Sequence, residues 1–496
     1  MQQTRGADNM EQRPFISIIS EQLVRRVIDE AMDVLEKVGV MVEHEEGRRL
    51  LTDAGARSEP GSSQIKIPRG LVEQSIASAP KAITIYDRAG EPAMQLEADR
   101  VHFDPGSAAL TILDWKTQKE RTPVTADLVA LARLTDSLPH LAAQSTGLIP
   151  GDVPGAIADR YRLYIALLHG RKPIVTGTFA VDAFEVMWDM LVAVRGSREE
   201  LHRKPLAIFD CCPSPPLKWS RLTCQCLIDC ARAGIPAELV SMPLTGATAP
   251  ATLLGALVQH TAETLSGVVI NQLAQPGAPV IYGGSPSAMD MRTGTTPMGA
   301  IETMMLDVAY AAVGKHFSLP THAYMALSDA KVLDAQAGLE TAMGAVLAAL
   351  AGINVVSGPG MLDFESCQSL EKLVIDNDIC GAALRLVQGL QVRTPRLAED
   401  LYGAIYDGDH FLTSPTTLEW FRQEMFSPSE AIDRDNYQSR QAKGDLTAGE
   451  RAHRIVQQLL AAEPSSALPK EVARELERLM VREARKHGMA TLPAAS

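Results

Sequence analysis

The chain has 496 residues, 46% hydrophobic and 22% charged, which is too long for one small core and too apolar for disorder along most of its length. Its formal net charge of -13, with Lys and Arg dispersed, argues against a nucleic-acid partner, because phosphate binding relies on clustered basic residues. No apolar run reaches the roughly 20 residues that span a bilayer, and the opening MQQTRGADNMEQRPF lacks a signal-peptide core. A cytoplasmic protein with no membrane partner is expected.

In chain order, Ser20 is placed to cap a helix from Glu21 to Lys37, whose apolar stripe includes Leu23, Val27, Ala31 and Leu35 and which Gly39 stops. A second amphipathic segment runs from Glu45 to Ala54. Short strands are expected at Gln64 to Ile67, Ala82 to Tyr86 and Arg100 to Phe103, with a helix near Leu71 to Ser78. Residues 1–125 therefore read as an α+β N-terminal domain.

Over 126–415 the rhythm changes to helical patterns alternating with short apolar runs. These runs are Leu141 to Thr146, Pro173 to Thr176, Leu206 to Asp210, Ala237 to Ser241, Val280 to Gly283, Thr321 to Tyr324 and Asn354 to Ser357, with an eighth near Phe411 to Thr413. Repeated βα units suit a parallel sheet with right-handed crossovers. Eight of them favour an α/β fold of the TIM (β/α)8 barrel type over an open sheet, and no GxGxxG or GxxxxGK[ST] marks a nucleotide-binding doubly wound fold. Residues 416–496 form a charged C-terminal helical extension, in which Glu471 to Lys486 reads as a solvated amphipathic helix.

Seven cysteines in so long a chain suit reduced, buried thiols rather than a disulfide framework. Cys224 and Cys226 point to different sides of their helix, so no metal site is expected. In a barrel, chemistry belongs at the carboxyl ends of strands, where Asp210, Ser241, Tyr282, Tyr324 and the polar stretch from Ser328 to Glu340 gather. Tyr282 and Tyr324, with Phe209 in the same layer, can hold a quaternary ammonium by cation–π attraction of roughly 0.5 to 2 kcal/mol per contact, or can fill the interior. Asp329 and Asp334 serve equally as acids at a helix N-terminus. Lys331 in a first helical turn opposes the dipole and needs an anionic neighbour or ligand. The turn from Ser357 to Gly360 offers backbone N–H groups that can cradle an anion, or is a plain tight turn. His322 reads as a satisfied interior histidine, and no catalytic triad is evident.

The stretches PAELVSMPLTGATAP, APVIYGGSPSAMDMRTG, SDAKVLDAQAGLE and SLEKLVIDND, with FDPGSAALTILDWKTQKERTPVTADL near residue 103 and HFLTSPTTLEWFRQEMFSPSEAIDRDNY near 410, resemble the trimethylamine methyltransferase family. The resemblance spans nearly the whole chain. It implies a TIM barrel and transfer of a methyl group from an amine to a corrinoid protein. The methanogen members carry pyrrolysine just before the SDAK segment, whereas Tyr324 to Leu327 here are ordinary residues. The pyrrolysine-free relatives act on quaternary amines such as glycine betaine.

The expectation is a methyltransferase that binds a small quaternary amine and uses a corrinoid (cobalamin) presented by a cognate partner protein, with no tightly bound cofactor of its own. Asp329 or Asp334 would be the catalytic countercharge, and Phe209, Tyr282 and Tyr324 would contact the ammonium. Arg292, Lys331 or the N–H groups of Gly358 and Gly360 would hold a substrate carboxylate, with Gln336 and Glu340 behind them. The alternatives are a tertiary-amine methyltransferase of the same fold and a non-catalytic quaternary-amine binder. The resemblance also implies a homo-oligomer.

Overall fold

Eight short parallel strands, each followed in the chain by a helix, carry the fold of the computed structural model, which describes residues 13–393, 397–402, 410–463 and 467–494. The strands are β1 (His102–Asp104), β2 (Gln144–Ser145), β3 (Ile174–Gly177), β4 (Ala207–Cys211), β5 (Ala237–Ser241), β6 (Val280–Gly284), β7 (His322–Tyr324) and β8 (Val355–Ser357). The helices are α1 (Thr125–Ser137), α2 (Ala158–His169), α3 (Ala183–Arg195), α4 (Arg221–Ala233), α5 (Leu253–Ala274), α6 (Ile301–His316), α7 (Ala335–Ala351) and α8 (Leu370–Val387).

Pairing runs β6-β5-β4-β3-β2 in one sheet and β7-β8-β1 in another. Single parallel bridges, Tyr282 to Thr321 and Phe103 to Leu141, join the two sheets at both edges, so the pairing returns to its starting strand. All seven strands expected between 141 and 357 are present, some shortened. The eighth is not Phe411–Thr413, which forms a single 3-10 turn, but His102–Asp104 from the N-terminal segment. Its partner in β8 lies some 250 residues on in the chain (Ser357 pairs with Asp104), and a hairpin of Thr111–Asp114 with Lys119–Arg121 delays its helix, so local rhythm hides it.

Side chains alternate in and out of the ring. Ala143, Val175, Ile208, Ile281 and Val355 form an inner apolar layer, closed from below by the hairpin Ile83–Tyr86 and Pro92–Leu96 through Ile83, Ile85, Met94 and Leu96. Each of those buried hairpin side chains is worth about 1.5–3 kcal/mol. Residues one position along, such as Phe103, Phe209, Leu239 and Tyr282, pack outward against the helices.

The N-terminal helix Glu21–Asp33 is capped by Ser20, whose Oγ accepts the Leu23 N–H at 3.2 Å, and a π turn carries it to Gly39 at φ +87°. At the other terminus, Lys470–Lys486 is not the solvated helix expected. It buries Leu476, Leu479 and Met480, and the buried Glu483 accepts from Lys486 at 2.7 Å and lies 3.7 Å from Arg160 of α2. One described helix, α5, is long and apolar enough to cross a membrane, and most of it is buried in the fold.

Candidate active site

Polar residues inside short apolar strands are the local oddity from which the site grows. Asp210 in AIFDC, Glu238 in AELVS and His322 in HAY all sit where the alternation points inward, one layer above the apolar floor. Burying an isolated ion costs several kcal/mol, so such groups must pair or be neutral.

They do both. Glu238 neighbours Asp210 in the ladder, and burial together with the charge of Asp210 pushes its carboxyl well above the usual range, so it keeps its proton. Burial lifts Asp210 to about 6, opposed by hydrogen bonds from Glu238 and Tyr324 and by the charge of Arg162. Burial pushes His322 down to about 3, leaving it neutral. Its Nε2 is 3.2 Å from Ser357 Oγ, which donates to Asp104 Oδ1 at 2.9 Å. That arrangement assigns the imidazole proton to Nε2 and turns a bare Nδ1 towards Glu238 Oε1, 3.1 Å away.

Above this layer, at the carboxyl ends of the strands, is a cavity of about 340 Å³. Tyr324, Phe179 and Phe364 give it aromatic walls, Asp210 and Glu365 are its carboxyl groups, and Arg162 is the basic residue of its lining. The Tyr324 phenol donates to Asp210 Oδ2 at 3.2 Å and is 2.8 Å from Ser107 Oγ. Arg162 is buried, sits 4.9 Å over the Phe179 ring, and donates from Nε to the Thr146 carbonyl at 2.7 Å. Desolvation draws its guanidinium down to about 10, which leaves it charged at neutral pH. Glu365 is pushed well up, chiefly by burial, with the Ser107 backbone N–H acting against the shift.

Glu365 and Phe364 reach the cavity from a strained loop. Asp363, Phe364 and Glu365 have φ of 48°, 54° and 70°, three successive non-glycine residues in the left-handed region, at a typical cost of about 1–3 kcal/mol each. Lys331 clamps this loop, with Nζ 2.9 Å from Asp363 Oδ1 and 3.7 Å from the Phe364 ring centroid. Strain held in place by such contacts is typical of a working site.

A larger hollow of about 890 Å³ lies between α7, α8 and the helix Ala448–Ala461, where Trp115 and His453 stack at 4.7 Å. The Lys372 ammonium on its wall is already engaged by Asp376 at 2.5 Å and Thr341 at 2.7 Å. The smaller cavity is therefore where polar groups converge on open space.

The family model described as trimethylamine methyltransferase (MTTB) matches residues 1–489. A trimethylamine methyltransferase of Methanosarcina mazei is 31% identical over 436 residues, 86% of this chain and 87% of that protein. The chain belongs to the trimethylamine methyltransferase family. A trimethylamine methyltransferase of Desulfitobacterium hafniense is 28% identical over 95% of both chains, and a glycine betaine methyltransferase of the same species is 28% identical over 96% of this chain and 98% of that one. The crystal structure of the Methanosarcina barkeri monomethylamine methyltransferase shares the fold, with a TM-score of 0.51 at 10% identity over 96% of this chain and 90% of that one.

In this trimethylamine methyltransferase family member the residues expected from sequence are dispersed. Tyr324 lines the cavity. Phe209 is fully buried on the outside of β4 against Phe184, and Tyr282 is fully buried on the outside of β6, its hydroxyl donating to Thr261 at 3.3 Å. Both are one position out of phase with the inward face. Arg292 is 89% exposed and paired with Asp290 at 2.7 Å.

Asp329 accepts the N–H groups of Met298 and Gly299, both at 2.9 Å, and Glu340 accepts from Ser328 at 2.6 Å, from the Asp329 N–H at 2.8 Å and from Gln336 at 2.9 Å. Asp334 caps α7 through the N–H groups of Gln336 at 2.9 Å and Ala337 at 3.3 Å. Lys331 thus precedes the helix rather than lying in its first turn. The expected anion cradle is also corrected, because the Gly358 N–H donates to the Asp104 carbonyl at 3.2 Å and the Gly360 N–H to Asp376 at 2.7 Å. Arg162, Phe179, Phe364 and Glu365 were not singled out from sequence, and Glu238 carried the missed signal, a charge inside a short apolar strand.

Proposed function

We propose that the chain transfers a methyl group from a small quaternary amine, glycine betaine or a close analogue, to the Co(I) corrinoid of a partner protein, in a (β/α)8 barrel that begins at β1. The observation that carries this reading is the combination of Tyr324, Phe179 and Phe364 with Asp210 on one cavity of about 340 Å³. Aromatic faces and one carboxylate suit a cation that cannot donate a hydrogen bond, at roughly 0.5–2 kcal/mol per ring. Arg162 suits the carboxylate of a betaine.

The cavity holds a small amine but not a corrin macrocycle, which fits a group brought to the mouth from outside. When docked, the corrinoid supplies the electron pair that accepts the methyl group. The chain's own residues bind and orient the amine and keep water from it. The breaking N–CH3 bond leaves its electrons on nitrogen, so a neutral tertiary amine departs and no proton need be delivered. The neutral Glu238 and His322 beneath Asp210 hold it in place without adding charge.

A multiple-turnover assay with cob(I)alamin and a panel of betaines and methylamines, following loss of the Co(I) absorbance, tests the reading. Turnover is expected with a betaine. Binding of a betaine with no methyl transfer would leave only an amine-binding protein, and turnover confined to trimethylamine would overturn the substrate class.

A further inference from the structure

Behind the β4 side of the cavity stands a group of side chains that the methyl-transfer reading does not use. Cys211 ends β4 and, by the alternation that turns Asp210 inward, faces the helices. Cys226 and Cys230 are four residues apart and so share one face of α4. The three sulfur atoms lie within 4.8 Å of one another, with Cys211 Sγ to Cys226 Sγ at 3.7 Å, and none of the three residues is more than 3% exposed. Cys224 lies apart, turned towards Gly47.

Tetrahedral zinc with Zn–S bonds of about 2.3 Å places its sulfur ligands about 3.8 Å apart. The Cys211 to Cys226 separation already has that value, and Cys230 needs to move by no more than about 1 Å, within a side-chain rotation. Buried free cysteines need only apolar surroundings, and nothing in ordinary packing requires three sulfurs from two elements to converge on one point. Cys226 also borders the cavity, so the thiol group lies next to the candidate active site.

We propose that Cys211, Cys226 and Cys230 bind one thiophilic divalent cation, Zn²⁺ being the natural candidate. Binding forms three metal–sulfur bonds and releases the protons of whichever thiols were protonated, so affinity rises with pH. The site is independent of the amine reading, since it is loaded and measured without any methyl donor.

The test uses the full chain purified anaerobically with reductant. Elemental analysis should find about one zinc per chain, and replacement by Co²⁺ should give the intense thiolate-to-cobalt charge-transfer absorption. Both signals should be lost in Cys230→Ser and kept in Cys224→Ser. If Cys230→Ser fails to fold, Co²⁺ titration of the unaltered, metal-stripped protein decides alone. Lack of any charge-transfer band at saturating Co²⁺, or a Cys211 to Cys226 disulfide found by mass spectrometry in the anaerobic protein, would overturn the proposal.

Discussion

Tyr324 and Asp210 meet across the interior of the strand ring, Oη to Oδ2 at 3.2 Å, although 114 residues separate them in the chain. The contact links β7 to β4 and sets an aromatic face beside a carboxylate at the floor of the cavity. Tyr324→Phe keeps the ring and removes the bond. A hydrogen bond to a charged group is worth about 1.5–3 kcal/mol, so unfolding stability should fall by about that amount in a denaturant titration, and the Asp210 carboxyl, which the bond holds down, should titrate at higher pH.

Asp210 also sets a pH dependence. Its carboxyl titrates near 6, raised mainly by burial, so the anion that faces the substrate is lost as pH falls through that value. The expected profile of kcat/KM falls about tenfold per pH unit below about 6, and Asp210→Asn should flatten it. The stability sign is opposite. Because the folded pKa exceeds the ordinary 3.8, the folded chain binds the extra proton between about 4 and 6, and this group's contribution to stability decreases as pH rises through that window. Acid loss of activity near pH 5 should therefore come without unfolding through Asp210, which circular dichroism at the same pH checks.

If Arg162 holds the betaine carboxylate, its removal should separate two kinds of cation. Arg162→Met should weaken binding of glycine betaine at least about 10-fold, the scale of a charge-assisted bond, while leaving tetramethylammonium, which has no carboxylate, within about twofold. Isothermal titration with both ligands measures the split. Equal losses for both would move the carboxylate contact elsewhere.

The strained loop depends on a clamp. Lys331→Met removes the ion pair to Asp363 and the cation over Phe364. Lys331 is half exposed, so the pair is worth about 1 kcal/mol or less, and KM should rise by no more than about fivefold with kcat retained. Asp329→Ala acts differently. It strands two backbone N–H groups at Met298 and Gly299 and should lower unfolding stability by about 2–4 kcal/mol in a denaturant titration.

Much of the fold was legible because parallel βα units write their strands as short apolar runs at regular spacing, and seven of these were found. β1 was not assigned to the ring, because a three-residue strand carries little pattern and its partners lie far along the chain. The site was less legible for a related reason. Phe209 and Tyr282 lie in barrel strands as expected, but in mid-strand, and the face a strand residue takes depends on parity, so a one-residue error sends a ring from the cavity to the outer core. Asp210, Glu238 and His322 carried a signal of the inward face that was not used, since an interior polar layer is what explains charges in such strands. Arg162 on α2 and Glu365 on a left-handed loop have no spacing rule that announces them. The same holds for Cys226 and Cys230, whose four-residue spacing is visible but whose convergence on Cys211 is a matter of tertiary packing.

The most direct measurement is a mass balance with glycine betaine labelled with deuterium in its N-methyl groups, the full chain and cob(I)alamin under anaerobic reducing conditions. The account predicts N,N-dimethylglycine and labelled methyl on the corrinoid in equal amounts, with the rate sharply reduced in Asp210→Asn. Binding of the labelled betaine without either product, or equal rates in the unaltered and Asp210→Asn chains, would contradict it.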